Sequence, residues 1–178
     1  GQWLVRKGNL PDLDGEPYLY MFNHVSLFDQ FMVAAFIGHY VTVVGALEQF
    51  KWPIWGTVGK KYGAIPIERK KIKKAMNALD RAEKEIKNGV SLMIAPEGTR
   101  TITGEIGEFK KGPFHLARNT KATIIPIGLD YHTMQKTKIF WGPLTNSNNQ
   151  EYLLQNIIKK SKPFYERKIK CYSNFHFT

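Results

Sequence analysis

The sequence predicts an α/β fold: a single domain with a mostly parallel central sheet flanked by helices. Three observations lead there. Short apolar or β-branched runs, such as Tyr18–Phe22, alternate with longer stretches of helical periodicity along the whole chain. The clearest helix, over residues 70–88, stands between two of those runs. Neither an internal repeat nor a low-complexity segment divides the 178 residues, a length that one domain with a proper core accommodates.

Residues 5–15 form a leading segment with turn signals at Asn9-Leu10-Pro11 and Asp14-Gly15. Tyr18–Phe22 is the first core strand, and residues 28–37 a mostly apolar helix. Residues 40–44 are β-branched and read as a second strand. Residues 47–62 combine aromatics with lysines, and Pro53 makes them a broken helix. In residues 64–67, a short strand, Pro66 points to an edge or terminal place in the sheet. Ile72, Met76, Leu79 and Ile86 recur at helical spacing within 70–88, and Gly89 stops that helix. Residues 90–95 are a buried strand followed by a polar loop to Glu108. A helix over 112–119, strands over 123–129 and 137–141, and a helix over 150–160 complete the chain, ahead of a basic, aromatic tail.

Lys and Arg outnumber Asp and Glu by 26 to 15, a net charge of +11 that favours phosphate-bearing partners: an anionic lipid surface, a phosphorylated substrate or nucleic acid. No nucleic-acid motif accompanies the charge, so nucleic acid is not expected as a partner. The single cysteine, Cys171, excludes an intramolecular disulfide and a cysteine-rich zinc site. The longest apolar run, residues 31–37, falls far short of the roughly 18–20 residues a transmembrane helix needs. The start at Gly1, with no signal peptide, points to an added residue or a truncation point; a truncation would leave room for an N-terminal anchor upstream.

The chemistry is expected at the strand ends, where open parallel sheets gather ligands. These ends carry Asn23-His24, Glu68-Arg69 and Glu97-Gly98-Thr99-Arg100. Asp29 follows His24 by five residues, in the first turn of the next helix. A carboxylate there can accept one imidazole N–H, fix the tautomer and leave the other nitrogen free to take a proton. The spacing alone is weak, because two residue types at one separation recur by chance.

The wider pattern resembles the glycerolipid acyltransferase family, which includes 1-acyl-glycerol-3-phosphate and glycerol-3-phosphate acyltransferases. Four motifs in the family's order carry the likeness: Asn23-His24-Val25-Ser26-Leu27-Phe28-Asp29, Gly63-Ala64-Ile65-Pro66-Ile67-Glu68-Arg69, Ala95-Pro96-Glu97-Gly98-Thr99-Arg100 and Ile124-Ile125-Pro126-Ile127-Gly128. Phe109-Lys110-Lys111-Gly112, Asn9-Leu10-Pro11 and Trp141-Gly142-Pro143-Leu144 match as well, so the likeness spans nearly the whole of residues 1–178 as one catalytic domain. It implies that His24 deprotonates an acceptor hydroxyl, which attacks the thioester of acyl-CoA or acyl-carrier protein, while Asp29 orients the imidazole. Arg69 and Arg100 would hold the acceptor's phosphate, since guanidinium offers a planar fork of donors. Gly98 would let the backbone pass close to the ligand, Thr99 would belong with it to the substrate-binding loop, and Glu97 would shape that loop or bind glycerol. The implied acceptor is a lysophospholipid, foremost 1-acyl-glycerol-3-phosphate, giving phosphatidate. Glycerol-3-phosphate and other lysolipids share the motifs. Neither a metal nor a bound organic cofactor is called for, the acyl thioester being a co-substrate.

Other readings stand beside these. Arg100 could pair with Glu97 or Glu105, and Arg69 adjoins Glu68 and a basic run. Ser26 reads as a helix-start residue, since no Gly-x-Ser-x-Gly elbow surrounds it. His39, His115, His132 and His176 read as structural or exposed. Gly56-Thr57-Val58-Gly59-Lys60-Lys61 fails the phosphate-loop spacing. Phe50, Trp52 and Trp55, interspersed with lysines, can be core residues or can dock on an anionic bilayer, which would make the protein peripheral to a membrane on its cytoplasmic side. A non-catalytic basic module and a lipid hydrolase are the competing functions.

Overall fold

The computed structural model describes residues 5–7, 15, 17–101, 106–132 and 136–141. Strands β1 (Val5–Lys7), β2 (Tyr18–Phe22), β3 (Val41–Ala46), β4 (Ile65–Ile67), β5 (Ser91–Ile94), β6 (Thr123–His132) and β7 (Lys136–Trp141) form one sheet. Its order is β1-β7-β6-β2-β5-β3-β4. The five strands from β6 to β4 are mutually parallel. β7 turns back antiparallel to β6, and β1 runs parallel to β7. The expected class, a mostly parallel sheet flanked by helices, is the one observed.

Strand β2 explains why the sheet needs cover on both faces. All five of its residues are buried, and successive side chains point to opposite sides. Leu19 and Met21 join Leu92, Ile94 and Ile124 in one core, closed by α3 (Ile72–Lys87) and α4 (Gly112–Thr120). Tyr18, Tyr20 and Phe22 join Met93, Ile125 and Ile127 in the other, closed by Val33 of α1 (Asp29–Ala34) and by Ile37. The result is three layers.

Several expectations shift in detail. Residues 47–62 are broken as expected: a 3₁₀ turn over Leu47–Lys51 ends at Trp52, and α2 (Pro53–Lys61) begins at the proline. The glycine-lysine stretch 56–61 therefore lies on a helix. Pro66 does sit on an edge strand, β4, which pairs only with β3 among the described strands. Pro126 lies inside β6, and β7 begins its pairing at Ile127, one residue beyond it. The first helix is shorter than 28–37, because after Ala34 the chain tightens into i→i−3 bonds from Phe36 and Ile37.

The apolar stripe of α3 is also corrected: Ile72 is 80% and Met76 59% exposed, whereas Ala78, Ala82 and Ile86 are buried. Residues 78, 82 and 86 repeat every four, and the small alanines let the helix lie close to the sheet. Within the leading segment a short strand, β1, had no sequence signal of its own, since its partner β7 is distant in the chain. The helix expected over 150–160 lies outside the described residues. No helix among the described residues is long and apolar enough to cross a membrane.

Candidate active site

Because β2, β4 and β5 run parallel, their carboxyl ends share one edge of the sheet, and the loops bearing His24, Arg69 and residues 97–100 open there together. They line a cavity of about 1030 Å³ that reaches between α1, α2 and the strand ends. All of the expected residues His24, Arg69, Glu97, Gly98, Thr99 and Arg100 are on its wall. Asp29 lies behind His24, with none of its surface exposed.

A buried carboxylate requires compensation, and the loop supplies it. Asp29 Oδ2 accepts from His24 Nδ1 at 2.7 Å and from the Val25 N–H at 2.8 Å. The Ser26 N–H reaches both of its oxygens, at 3.0 and 2.9 Å. Residues 24–26 are thus folded around the first carboxylate of α1. Since the carboxylate only accepts, the imidazole proton resides on Nδ1, which leaves Nε2 as the acceptor on the cavity side. Among the described residues Nε2 has no hydrogen-bond partner. The edge of Phe22 packs against the ring, with centroids 6.2 Å apart, and restricts its tilt.

Glu97 fixes the same histidine from its backbone. It is 2% exposed. Its Oε1 accepts from the His24 N–H and its Oε2 from the Gly107 N–H, both at 2.8 Å. Burial raises the carboxyl's pKa above the ordinary glutamate value, against the opposing pull of those two N–H groups. The Thr101 N–H donates to the His24 carbonyl at 2.8 Å, a second tie between the two loops. Gly98 takes φ +71°, a left-handed turn that favours glycine, so the loop reverses at that point.

The two arginines separate in character. Glu68 pairs with Lys71 and Lys74, at 3.1 and 2.7 Å, rather than with Arg69. Arg69 Nη1 donates to the Gly98 carbonyl and so links the β4 and β5 loops. Arg100 has no carboxylate within ion-pair distance among the described residues, and Glu97 is already bound to backbone amides. Glu105, the other partner the sequence offers it, lies outside the described residues. A cationic group on a cavity wall that no described carboxylate engages can receive an anion.

Some site residues escaped the sequence reading. Lys110 also lines the cavity, and its N–H donates to the Pro96 carbonyl at 2.8 Å. The Phe-Lys-Lys-Gly motif was its signal. The Asn23 side chain clasps Leu129 twice, donating to its carbonyl at 2.9 Å and accepting from its N–H at 2.6 Å. That clasp ties the loop before His24 to β6, and no local pattern announces it.

Fold and site together define an α/β protein that presents a histidine–carboxylate pair and two arginines on one strand-end cavity. The chain belongs to the Acyltransferase family, whose model matches residues 4–130. It is similar to a Brassica napus protein named 1-acyl-sn-glycerol-3-phosphate acyltransferase BAT2, chloroplastic: 32% identical over 121 residues, covering 68% of this chain and 35% of that protein. A Mycoplasma genitalium protein named as a probable 1-acyl-sn-glycerol-3-phosphate acyltransferase is 28% identical over 178 residues, 94% of this chain and 62% of its own length. The chain spans about a third of the plant relatives it matches. The crystal structure of the Thermotoga maritima 1-acyl-sn-glycerophosphate acyltransferase PlsC has the same fold, with a TM-score of 0.66 and 22% identity over 94% of this chain and 74% of that one.

Proposed function

We propose that this chain is the catalytic domain of an acyltransferase. It moves a fatty acyl group from acyl-CoA or acyl-carrier protein to the free hydroxyl of 1-acyl-glycerol-3-phosphate, giving phosphatidate. The observation that carries the reading is the His24–Asp29 pair, held at 2.7 Å with Nε2 turned to a cavity whose wall also bears Arg69 and Arg100. The family and the names of the relatives support it.

In the proposed reaction Arg100, assisted by Arg69, binds the acceptor's phosphate and brings its hydroxyl to His24 Nε2. The imidazole takes the hydroxyl proton as the oxygen attacks the thioester carbon, and Asp29 stabilises the imidazolium. The carbon–sulfur bond then breaks, and the thiolate leaves with the proton from Nε2. The new ester holds the acyl group, the free thiol is the second product, and the histidine returns to its starting state. Glu97 and Gly98 shape the loop, and no protein side chain is acylated.

The test is a panel of donors against acceptors. Lysophosphatidate with acyl-CoA or acyl-carrier protein should give one thiol per phosphatidate. Glycerol-3-phosphate and neutral monoacylglycerol should be poorer acceptors. Release of free fatty acid in place of diacyl product would make the protein a hydrolase, and no turnover with either donor would sink the assignment.

A further inference from the structure

Gln30 is the one polar residue of α1 on the wall of the active-site cavity. It shares that face with Phe31 and Ala34, and with Leu27 just ahead of the helix, all apolar. Gln30 is buried, 9% exposed, yet its side-chain amide has no hydrogen-bond partner among the described residues. Buried polar side chains are nearly always hydrogen-bonded, and an unpaired amide on an apolar wall costs stability, so its partner comes from the cavity.

The transfer step leaves one charge without a donor. When the acceptor's oxygen bonds to the thioester carbon, the carbonyl oxygen becomes an oxyanion, and enzymes meet such an oxygen with donors fixed in advance. Arg69 and Arg100 stand on the β4 and β5 loops, where the phosphate is placed, and Arg69 also holds the Gly98 carbonyl. The apolar α1 wall suits the acyl group instead, whose one strong hydrogen-bond acceptor is that carbonyl oxygen.

We propose that the side-chain amide of Gln30 donates to the carbonyl oxygen of the acyl thioester and holds the oxyanion, a catalytic role that rests on the acyltransferase reading. Gln30 is joined to Asp29, their Cα atoms about 3.8 Å apart. Asp29 in turn grips His24 Nδ1 at 2.7 Å, so one turn of α1 sets both the base and the donor. Glu48 and Gln49 line the cavity too, but they follow β3, two strand places and about 10 Å from β2. As the carbon–oxygen bond forms, the carbonyl π pair moves onto oxygen, and it returns as the carbon–sulfur bond breaks. Gln30 lends its N–H throughout and neither gains nor loses a proton.

The test uses the intact chain and Gln30→Met, which keeps the length of the side chain and removes the hydrogen bond. With lysophosphatidate and whichever thioester donor turns over, kcat should fall by about 10²–10³-fold, the cost of one oxyanion donor. KM for lysophosphatidate should stay within about twofold. The thermal midpoint should rise, because the unpaired amide is gone, whereas loss of a packing residue would lower it. Two readouts separate contact with the carbonyl from placement of His24. Sulfur accepts hydrogen bonds weakly, so changing the donor to an acyl dithioester should cost the parent at least about tenfold more in kcat than it costs Gln30→Met. With the donor isotope-labelled at its carbonyl carbon and no acceptor present, the infrared carbonyl band of the bound thioester should lie lower in the parent than in Gln30→Met. An unchanged kcat, an equal loss with both donors, or one band position in both proteins would overturn the role of Gln30. Release of free fatty acid by the parent, with the dithioester difference and the band shift intact, would defeat the acyltransferase reading and keep the oxyanion donor. Failure of the labelled thioester to bind would overturn both.

Discussion

Two histidines sit at opposite ends of the same parallel sheet, and they are built for different work. His24 follows the carboxyl end of β2. Its Nδ1 is held by a carboxylate with no exposed surface, and it opens on a cavity. His39 precedes β3 at the amino end. Its Nε2 faces two hydroxyls, that of Ser91 at 3.0 Å and that of Tyr20 at 3.5 Å. Ser91 Oγ accepts from the Tyr18 N–H at 3.0 Å, so its proton is free to point at His39. Desolvation lowers the pKa of His39 below its ordinary value. A histidine becomes a base for a substrate when a carboxylate supports its cation and its second nitrogen meets a cavity. Hydroxyl partners and desolvation produce a neutral structural ring instead.

The largest expected effect breaks the pair at the carboxyl end. His24→Ala should lower acyl transfer by about 10²–10⁴-fold, read as thiol release. Asp29→Asn should cost nearly as much alone yet little on top of His24→Ala, because an orienting group has nothing left to orient. Additive losses would show that Asp29 acts apart from His24. Next comes phosphate binding. Arg100→Ala should raise KM for lysophosphatidate by roughly 10–100-fold, the size of one or two charge-assisted hydrogen bonds. That penalty should vanish with a monoacylglycerol acceptor. Arg69→Ala should cost less at the phosphate, since Arg69 also holds the Gly98 carbonyl.

Glu97→Gln should act through His24 rather than on substrate. One amide end would face a backbone N–H, so kcat should fall about tenfold with KM nearly unchanged. The smallest effect belongs to the amino end. His39 has a lowered pKa, so the stability it contributes is present above its ordinary value of 6.5 and is lost as pH falls through its lowered folded value. His39→Gln should therefore flatten the decline of the unfolding midpoint from neutral to mildly acidic pH, with acyl transfer preserved.

The sequence made the site more legible than the packing. His24, Asp29 and the 97–100 loop could be read because each stands next to a strand recognisable by its own apolar run. Parallel connectivity then places all the strand ends together. Pro53 and Pro66 likewise announced the helix break and the edge strand through local backbone chemistry. Long-range pairing was not legible. Nothing near Asn23 foretells its clasp on Leu129, and nothing near Gly107 foretells its hold on Glu97. On α3, apolar size pointed to Ile72 and Met76, but close approach to the sheet selected the alanines at 78 and 82. Exposed apolar residues look like core ones in a sequence, so residues 47–62 could be read either way, and only the structure separates buried Phe50 from exposed Trp52.

The most direct measurement compares His24→Ala and His39→Ala in one assay of phosphatidate formation from lysophosphatidate and a long-chain acyl thioester. The proposed mechanism predicts that His24→Ala loses activity by about 10²–10⁴-fold while His39→Ala keeps it. Turnover retained in a folded His24→Ala protein would contradict the assignment of His24 as the base.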